Sequence, residues 1–272
     1  LDQAMRDSAT KDDSRRAVAY AGVMCSMTMN QQMDAMSFLA WLQQHYSKDP
    51  DVLFLAVNVF SELSDRNAKD LLQAAPKSTQ VVQLNAQNFE RHGDFASAIE
   101  EYKILLQREP DKPGIHYRLG GLYMENPEKA GNVESARAEF LAELKVNPQA
   151  AGAEYYLGEM DRQADKLPEA IKHYSRVIEL QPDFSDAYLG MGRALLDSGR
   201  KAEAVAPLEK GVKLSPDNPN FHFLLANAYQ RLGRKADADR EYALQKSLAK
   251  TLNENSKSIQ KNVDGANSPK AN

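Results

Sequence analysis

At 272 residues, with 42% apolar and 26% charged side chains, the chain has an ordinary globular make-up and enough length for a large core. A net charge of −4 argues against a nucleic-acid binder, which would carry a basic face. A single cysteine, Cys25, excludes an internal disulfide framework, and the longest apolar stretch, Ala17 to Met29, is too short and too mixed to span a bilayer.

No secretory signal is visible, and the chain begins with Leu1 rather than Met. It therefore reads as a fragment or a processed product, with cytoplasmic and periplasmic placement both open. Residues 1–13 are polar and start in mid-pattern, the expected remnant of an earlier helix. Ser14 follows two aspartates and is the expected cap of a helix running to about Met29. A second helix, about Gln31 to Tyr46, should pack Phe38, Trp41, Leu42 and His45 on one side, with Pro50 closing the pair. Ser26 stands where a small residue is wanted and Phe38 where an alanine is wanted, so the pair is a degenerate hairpin.

Residues 49–78 read as a shortened hairpin. Its first helix carries Leu55-Ala56, and NAKDLLQAAP supplies a truncated second helix before Pro76. Pro50 and Pro76 are 26 residues apart, against 34 for Pro76 and Pro110. A shorter hairpin changes the local stacking angle, which makes this segment the expected bend or subdomain joint.

From Thr79 the register is regular. Residues 79–112 carry Ala86, Phe89, Gly93, Ala98, Tyr102 and Pro110. Residues 113–150 carry Leu119-Gly120, Tyr123, Ala136, Phe140 and Pro148, with four extra residues in ENPEKAGN, where a turn absorbs them cheaply. Residues 151–184 and 185–218 repeat one pattern twice: Leu157-Gly158 falls on Met191-Gly192, Ala170 on Ala204, Tyr174 on Leu208 and Pro182 on Pro216. Residues 219–252 carry Leu225-Ala226, Tyr229, Gly233, Ala238 and Tyr242. Their second helix is the most polar and reads as a solvating end cap. Residues 253–272 have almost no apolar side chains and are expected to be disordered.

The physics of one unit is legible. Leu157, Gly158 and Asp161 share one side of a first helix, and Ala170, Tyr174 and Val177 form a stripe on a second. Gly158 and Ala170 let the backbones approach, Tyr174 and Leu157 fill the volume, and Pro182 stops the second helix. A lone hairpin of this kind leaves an apolar flank open and needs a neighbour on each side.

The pattern resembles the tetratricopeptide repeat family, carried by Leu157, Gly158, Ala170, Tyr174 and Pro182 in one unit and by Tyr188, Gly192, Gly199, Ala204 and Pro216 in the next. No Trp stands at the family's first aromatic position. The short hairpin, degenerate start and polar tail are in the style of bacterial members. The resemblance implies an all-α protein: a right-handed α-solenoid of stacked antiparallel helix hairpins. Its parts would be degenerate or shortened repeats over 14–78 and five regular ones over 79–112, 113–150, 151–184, 185–218 and 219–252.

It also implies that the fifth residue of each unit projects from the first helix into a concave face. Those residues are Gln83, Tyr117, Tyr155, Leu189 and Phe223. One helical turn on stand Gln87, Gly121, Glu159, Arg193 and Asn227. The expected role is a scaffold that binds a peptide or helix of a partner protein, with Tyr117, Tyr155, Leu189 and Phe223 as apolar anchors. Glu159, Arg162, Arg193, Asn227 and Arg231 would set its orientation. The alternative is that these side chains chiefly pack between neighbouring first helices. Members that clamp a terminal carboxylate use Lys at the fifth position and Asn at the ninth; only Asn227 matches, which argues against that subtype.

Chemistry is otherwise sparse. His45, His92, His116, His173 and His222 are scattered, without metal-ligand spacing. No Gly-rich phosphate loop is present, and Gly120-Gly121 reads as a close-packing pair inside a helix. No nucleophile arrangement stands out, so neither catalysis nor a cofactor is expected. Met24, Cys25, Met27, Met29, Met33 and Met36 could hold Cu(I), but flexible methionines more often fill an irregular core or line an interface. That end of the chain is the candidate surface for self-association. The remaining rival is the repeat region of a larger transferase or peptidase.

Overall fold

The computed structural model describes residues 12–125 and 131–267, apart from the side chains of 12–13 and 258–267. Among the described residues there are thirteen helices and no strand. They divide between Asn88 and Phe89 into two compact units. The boundary thus falls beyond the expected joint at 49–78. The polar lead-in over residues 1–11 and most of the ENPEKAGN turn lie outside the described residues.

In the first unit, α1 (Asp12–Thr28) and α2 (Gln32–His45) form a hairpin, followed by α3 (Pro50–Ala74) and the start of α4 (Thr79–Arg91). Ala19, Val23, Leu39, Leu42, Val52, Leu55 and Val59 make its core. The small residue of this hairpin is Gly22, where a Cβ would come 2.8 Å from the Phe38 ring. Phe38 therefore takes the large-residue position rather than the alanine position. The buried side of α2 is Ala35, Leu39 and Leu42, while Trp41 stacks on the exposed His45 at 4.3 Å.

Residues 50–74 form one helix, not the expected short hairpin. Pro50 opens it at its first turn, where its missing N–H costs nothing, and Asp49 caps it by accepting from Asp51 N and Val52 N. The polar run around Arg66 resembles a loop, but its side chain donates to Met27 O at 3.3 Å and to Asn30, and it pairs with Glu62 one turn back. Once nucleated, a helix gains a bond for each residue added, so a polar stretch held at one point stays helical.

The second unit holds α5 (Phe95–Arg108), α6 (Ile115–Met124), α7 (Asn132–Val146), α8 (Ala151–Gln163), α9 (Leu167–Leu180), α10 (Ser185–Asp197), α11 (Lys201–Leu214), α12 (Pro219–Arg231) and α13 (Lys235–Asn267). Helices α6/α7, α8/α9, α10/α11 and α12/α13 pair as hairpins. Each hairpin packs on the next, and the first helices α8, α10 and α12 also touch in series. This is a right-handed solenoid whose interior is shared between neighbours.

One spacing recurs. A Cβ at Gly158 would lie 3.0 Å from Tyr174, and one at Gly192 would lie 2.3 Å from Leu208. Gly22 stands in the same relation to Phe38, the large partner lying sixteen positions after the small one in all three cases. Gly120 meets Phe140 at 2.6 Å after the four-residue insertion. The last helix, α13, continues to Asn267, through residues expected to be disordered. Its described outer part is exposed, with a Lys250–Glu254 pair one turn apart.

Candidate partner-binding face

The first helices present their N-terminal turns side by side. Between α6, α8 and α10 lies a cleft of about 740 Å³. Tyr117, Tyr155, Tyr156 and Phe184 supply its aromatic walls. Tyr155 meets Phe184 edge-to-face at 5.2 Å, and Tyr117 lies 5.9 Å from Tyr156, which stacks on the buried Phe140 at 4.8 Å. The cleft stays open because the second residue of two successive units is glycine. A Cβ at Gly152 would sit 2.8 Å from the Tyr117 ring.

Its floor is Glu143, only 1% exposed. Gly114 has no side chain to cap α6, and the Glu143 carboxylate does so instead, accepting from Gly114 N at 2.8 Å and Tyr117 N at 3.2 Å. A buried carboxylate is tolerated here because it meets both N–H groups and the positive end of the helix dipole. On the far side of Tyr117 a smaller cleft, about 490 Å³, includes Gly121, Arg118 and Glu90, the last two paired at 3.1 Å.

The expected anchors separate. Tyr117 and Tyr155 line the larger cleft, half-buried; Leu189 is half-buried against the neighbouring core. Phe223 is 46% exposed, edge-on to Tyr242 at 6.4 Å. Burial, reinforced by the Glu159 and Asp186 carboxylates, pushes the Tyr155 hydroxyl up to about 12.

The expected polar positions are mostly engaged within the fold. Glu159 accepts from the Tyr174 hydroxyl and pairs with Arg162 at 2.9 Å, which raises the Arg162 guanidinium further. Asn227 accepts from Tyr242 at 2.8 Å, and Arg231 donates to Leu196 O at 2.9 Å, tying two hairpins together. Arg193 is half-buried and makes no hydrogen bond or ion pair with the described residues. Of Gly120-Gly121, only Gly120 close-packs; a Cβ at Gly121 would meet nothing within 4 Å.

Tyr156 and Phe184 were missed by the fifth-residue pattern. The available signals were the doubled Tyr155-Tyr156 and an aromatic directly before α10. At the Met-rich end, Met27 is buried and Met36 packs on the core, whereas Met24, Met29 and Met33 are 52%, 62% and 81% exposed. Among the described residues no group of three or more His, Cys, Asp or Glu could hold a metal ion, and no helix is long and apolar enough to cross a membrane.

Stacked hairpins with a common interior and a layer of first helices define a helical-repeat scaffold. Residues 158–199 and 192–233 match the family described as TPR repeat, and residues 84–130 match the tetratricopeptide repeat. The chain thus carries tetratricopeptide repeats over these residues. Among solved structures it is similar to one described as MamA protein, with 23% identity over 63% of this chain and 92% of that one and a TM-score of 0.57. It is also similar to MamA from Desulfovibrio magneticus RS-1, with 20% identity, 64% and 96% coverage and a TM-score of 0.57. At that identity the likeness shows the fold alone. No curated protein matches the chain.

Proposed function

We propose that the second unit is a protein-interaction scaffold that holds a peptide or helix of a partner along its first helices, by binding rather than catalysis. Of the five regular repeats between 79 and 252, the four from 113 on lie wholly within this unit and would supply that surface. The observation that carries the reading is the aromatic cleft at Tyr117 and Tyr155, continued by Leu189, the unengaged Arg193 and the exposed Phe223. Tyrosine suits such a surface because it brings large contact area at little cost in rotamer entropy. Glu159, Arg162, Asn227 and Arg231 keep this surface in shape more than they reach a partner.

A photo-crosslinking side chain at Tyr117 or Phe223 tests this, with Leu141, an exposed residue of a second helix, as control. Adducts confined to the first-helix positions are expected. Equal yields from Leu141 would sink the reading.

A second reading concerns the first unit. Leu53, Phe54, Val57 and Phe60 are exposed along two turns of α3, and Phe54 shares a cleft of about 380 Å³ with Met24. Exposed apolar groups so grouped mark an association surface, here with a second copy of the chain. Light scattering over a concentration series should find a dimer that Phe54→Glu abolishes; a monomer at every concentration excludes it.

A further inference from the structure

The charged residues that line the larger cleft are of one sign. Its charged lining residues are Glu143 and Asp186, and no Lys, Arg or His lines it. Four aromatic rings form the walls, and the face of an aromatic ring attracts a cation through its quadrupole. Asp186, exposed in the first turn of α10, makes no hydrogen bond or ion pair with the described residues. Glu159 and Asp186 both act on the Tyr155 hydroxyl, which burial chiefly raises and the Arg162 guanidinium partly lowers.

The opposite occupant fares badly. The N-terminal turns of α6, α8 and α10 are the features that would hold an anion, and that of α10 carries the Asp186 carboxylate. However, Gly114 N and Tyr117 N already donate to Glu143, while Ala151 N donates to Gln149 O and Ala153 N to Ala150 O. An acidic group entering the cleft would find two carboxylates and no cation to pair with.

We infer that this cleft receives a lysine or arginine side chain of a partner peptide, its charge held against the outer side of the Tyr155–Phe184 ring pair and paired with the Asp186 carboxylate. The stem of such a side chain is apolar and would lie along the Tyr117 and Tyr156 rings, leaving its charged head toward Asp186. Asn147, Gln149 and Gln181, which also line the cleft, can hydrogen-bond the peptide backbone beside it. This inference rests on the first-helix layer being the binding face.

The test is selection of a random dodecapeptide display library on the full chain, on Asp186→Lys and on Tyr155→Leu, each first checked for native helicity. Enrichment of Lys or Arg at one position of the selected peptides is expected, lost on Asp186→Lys. A synthetic selected peptide should bind about tenfold more weakly when that residue becomes norleucine, and the difference should shrink as salt is raised. An uncharged or acidic consensus that still requires Tyr155 would overturn the cation assignment while leaving the binding face standing. Peptides that bind Tyr155→Leu as well as the parent, or no enrichment at all, would overturn both.

Discussion

His173 Nδ1 lies 2.5 Å from Glu154 Oε2, bridging the two helices of one hairpin, with the residue types exchanged relative to two other hairpins of the array. In the hairpin before it the first helix gives His116 and the second Glu139; in the last described hairpin they are His222 and Glu241. The separations are 19, 23 and 19 residues, and 23 less the four inserted residues is again 19. Asp161 explains the exchange. It is buried, pairs with Arg137 at 2.7 Å, and brings Oδ2 to 3.4 Å from His173 Nε2. The other two hairpins with such a pair carry Tyr123 and Tyr229 at that place. A glutamate at position 173 would face a second carboxylate.

The double exchange Glu154→His with His173→Glu therefore destabilises the chain by about 2 kcal/mol, although it restores the arrangement of those two hairpins. Adding Asp161→Asn should return more than half of the loss. Urea unfolding of the three variants measures this, and an exchange tolerated with Asp161 in place would refute it.

Two adjacent glycines should respond in opposite directions. Gly120→Ala drives a methyl into Phe140, already 2.6 Å from the ideal Cβ position, and should cost about 1–3 kcal/mol. Gly121→Ala meets open space in the middle of a helix and should gain about 0.5–1 kcal/mol by stiffening the unfolded chain. Thermal denaturation of both variants decides it; shifts of the same sign would be inconsistent with the packing described.

Asp165 occupies the turn between α8 and α9 with φ of 58°, where Gly93, Gly199 and Gly233 serve three other hairpins with φ of 75–76°. The left-handed region crowds a Cβ against the following carbonyl, a strain of roughly 1–2 kcal/mol that aspartate partly relieves by local hydrogen bonding. Asp165→Gly should be stabilising by about 0.5 kcal/mol, and Gly199→Ala destabilising by about 1 kcal/mol. Chemical denaturation with an unchanged slope would confirm that only the turn was altered.

The hairpins of the second unit were legible because their close approach needs a small and a large residue at a fixed separation, and Gly158/Tyr174 and Gly192/Leu208 state it openly. Gly22/Phe38 obeys the same spacing, but Ser26 sits near enough to Gly22 to compete for the small position. The length of α3 was hidden because Arg66 holds a loop-like run to a turn 36 residues earlier, a contact that local pattern does not carry. The helical extension of α13 was masked by polarity, which fits a solvated helix as well as a disordered tail. Tyr155 was visible from register alone. Phe184 was not, because it lies between helices, where the helical period that singles out a face has no meaning.

Alkali should unfold this chain through its tyrosines. Burial pushes Tyr102, Tyr155 and Tyr229 each up to about 12, aided by Glu90 at Tyr102, by Glu159 and Asp186 at Tyr155 and by Glu209 at Tyr229. Tyr174, fully buried and bonded to Glu159, is raised still further. In the unfolded chain these phenols lose their protons near 10. The folded state then holds protons that the unfolded state has released, so the stability they lend is complete below about pH 10 and falls as pH climbs through about 12. Tyrosinate absorbance followed alongside helicity should show five of the eleven tyrosines, these four and Tyr117, whose hydroxyl burial also raises, ionising late, together with loss of helix. A single titration of all eleven near pH 10 with the helices intact would contradict the burial on which the repeat interior depends.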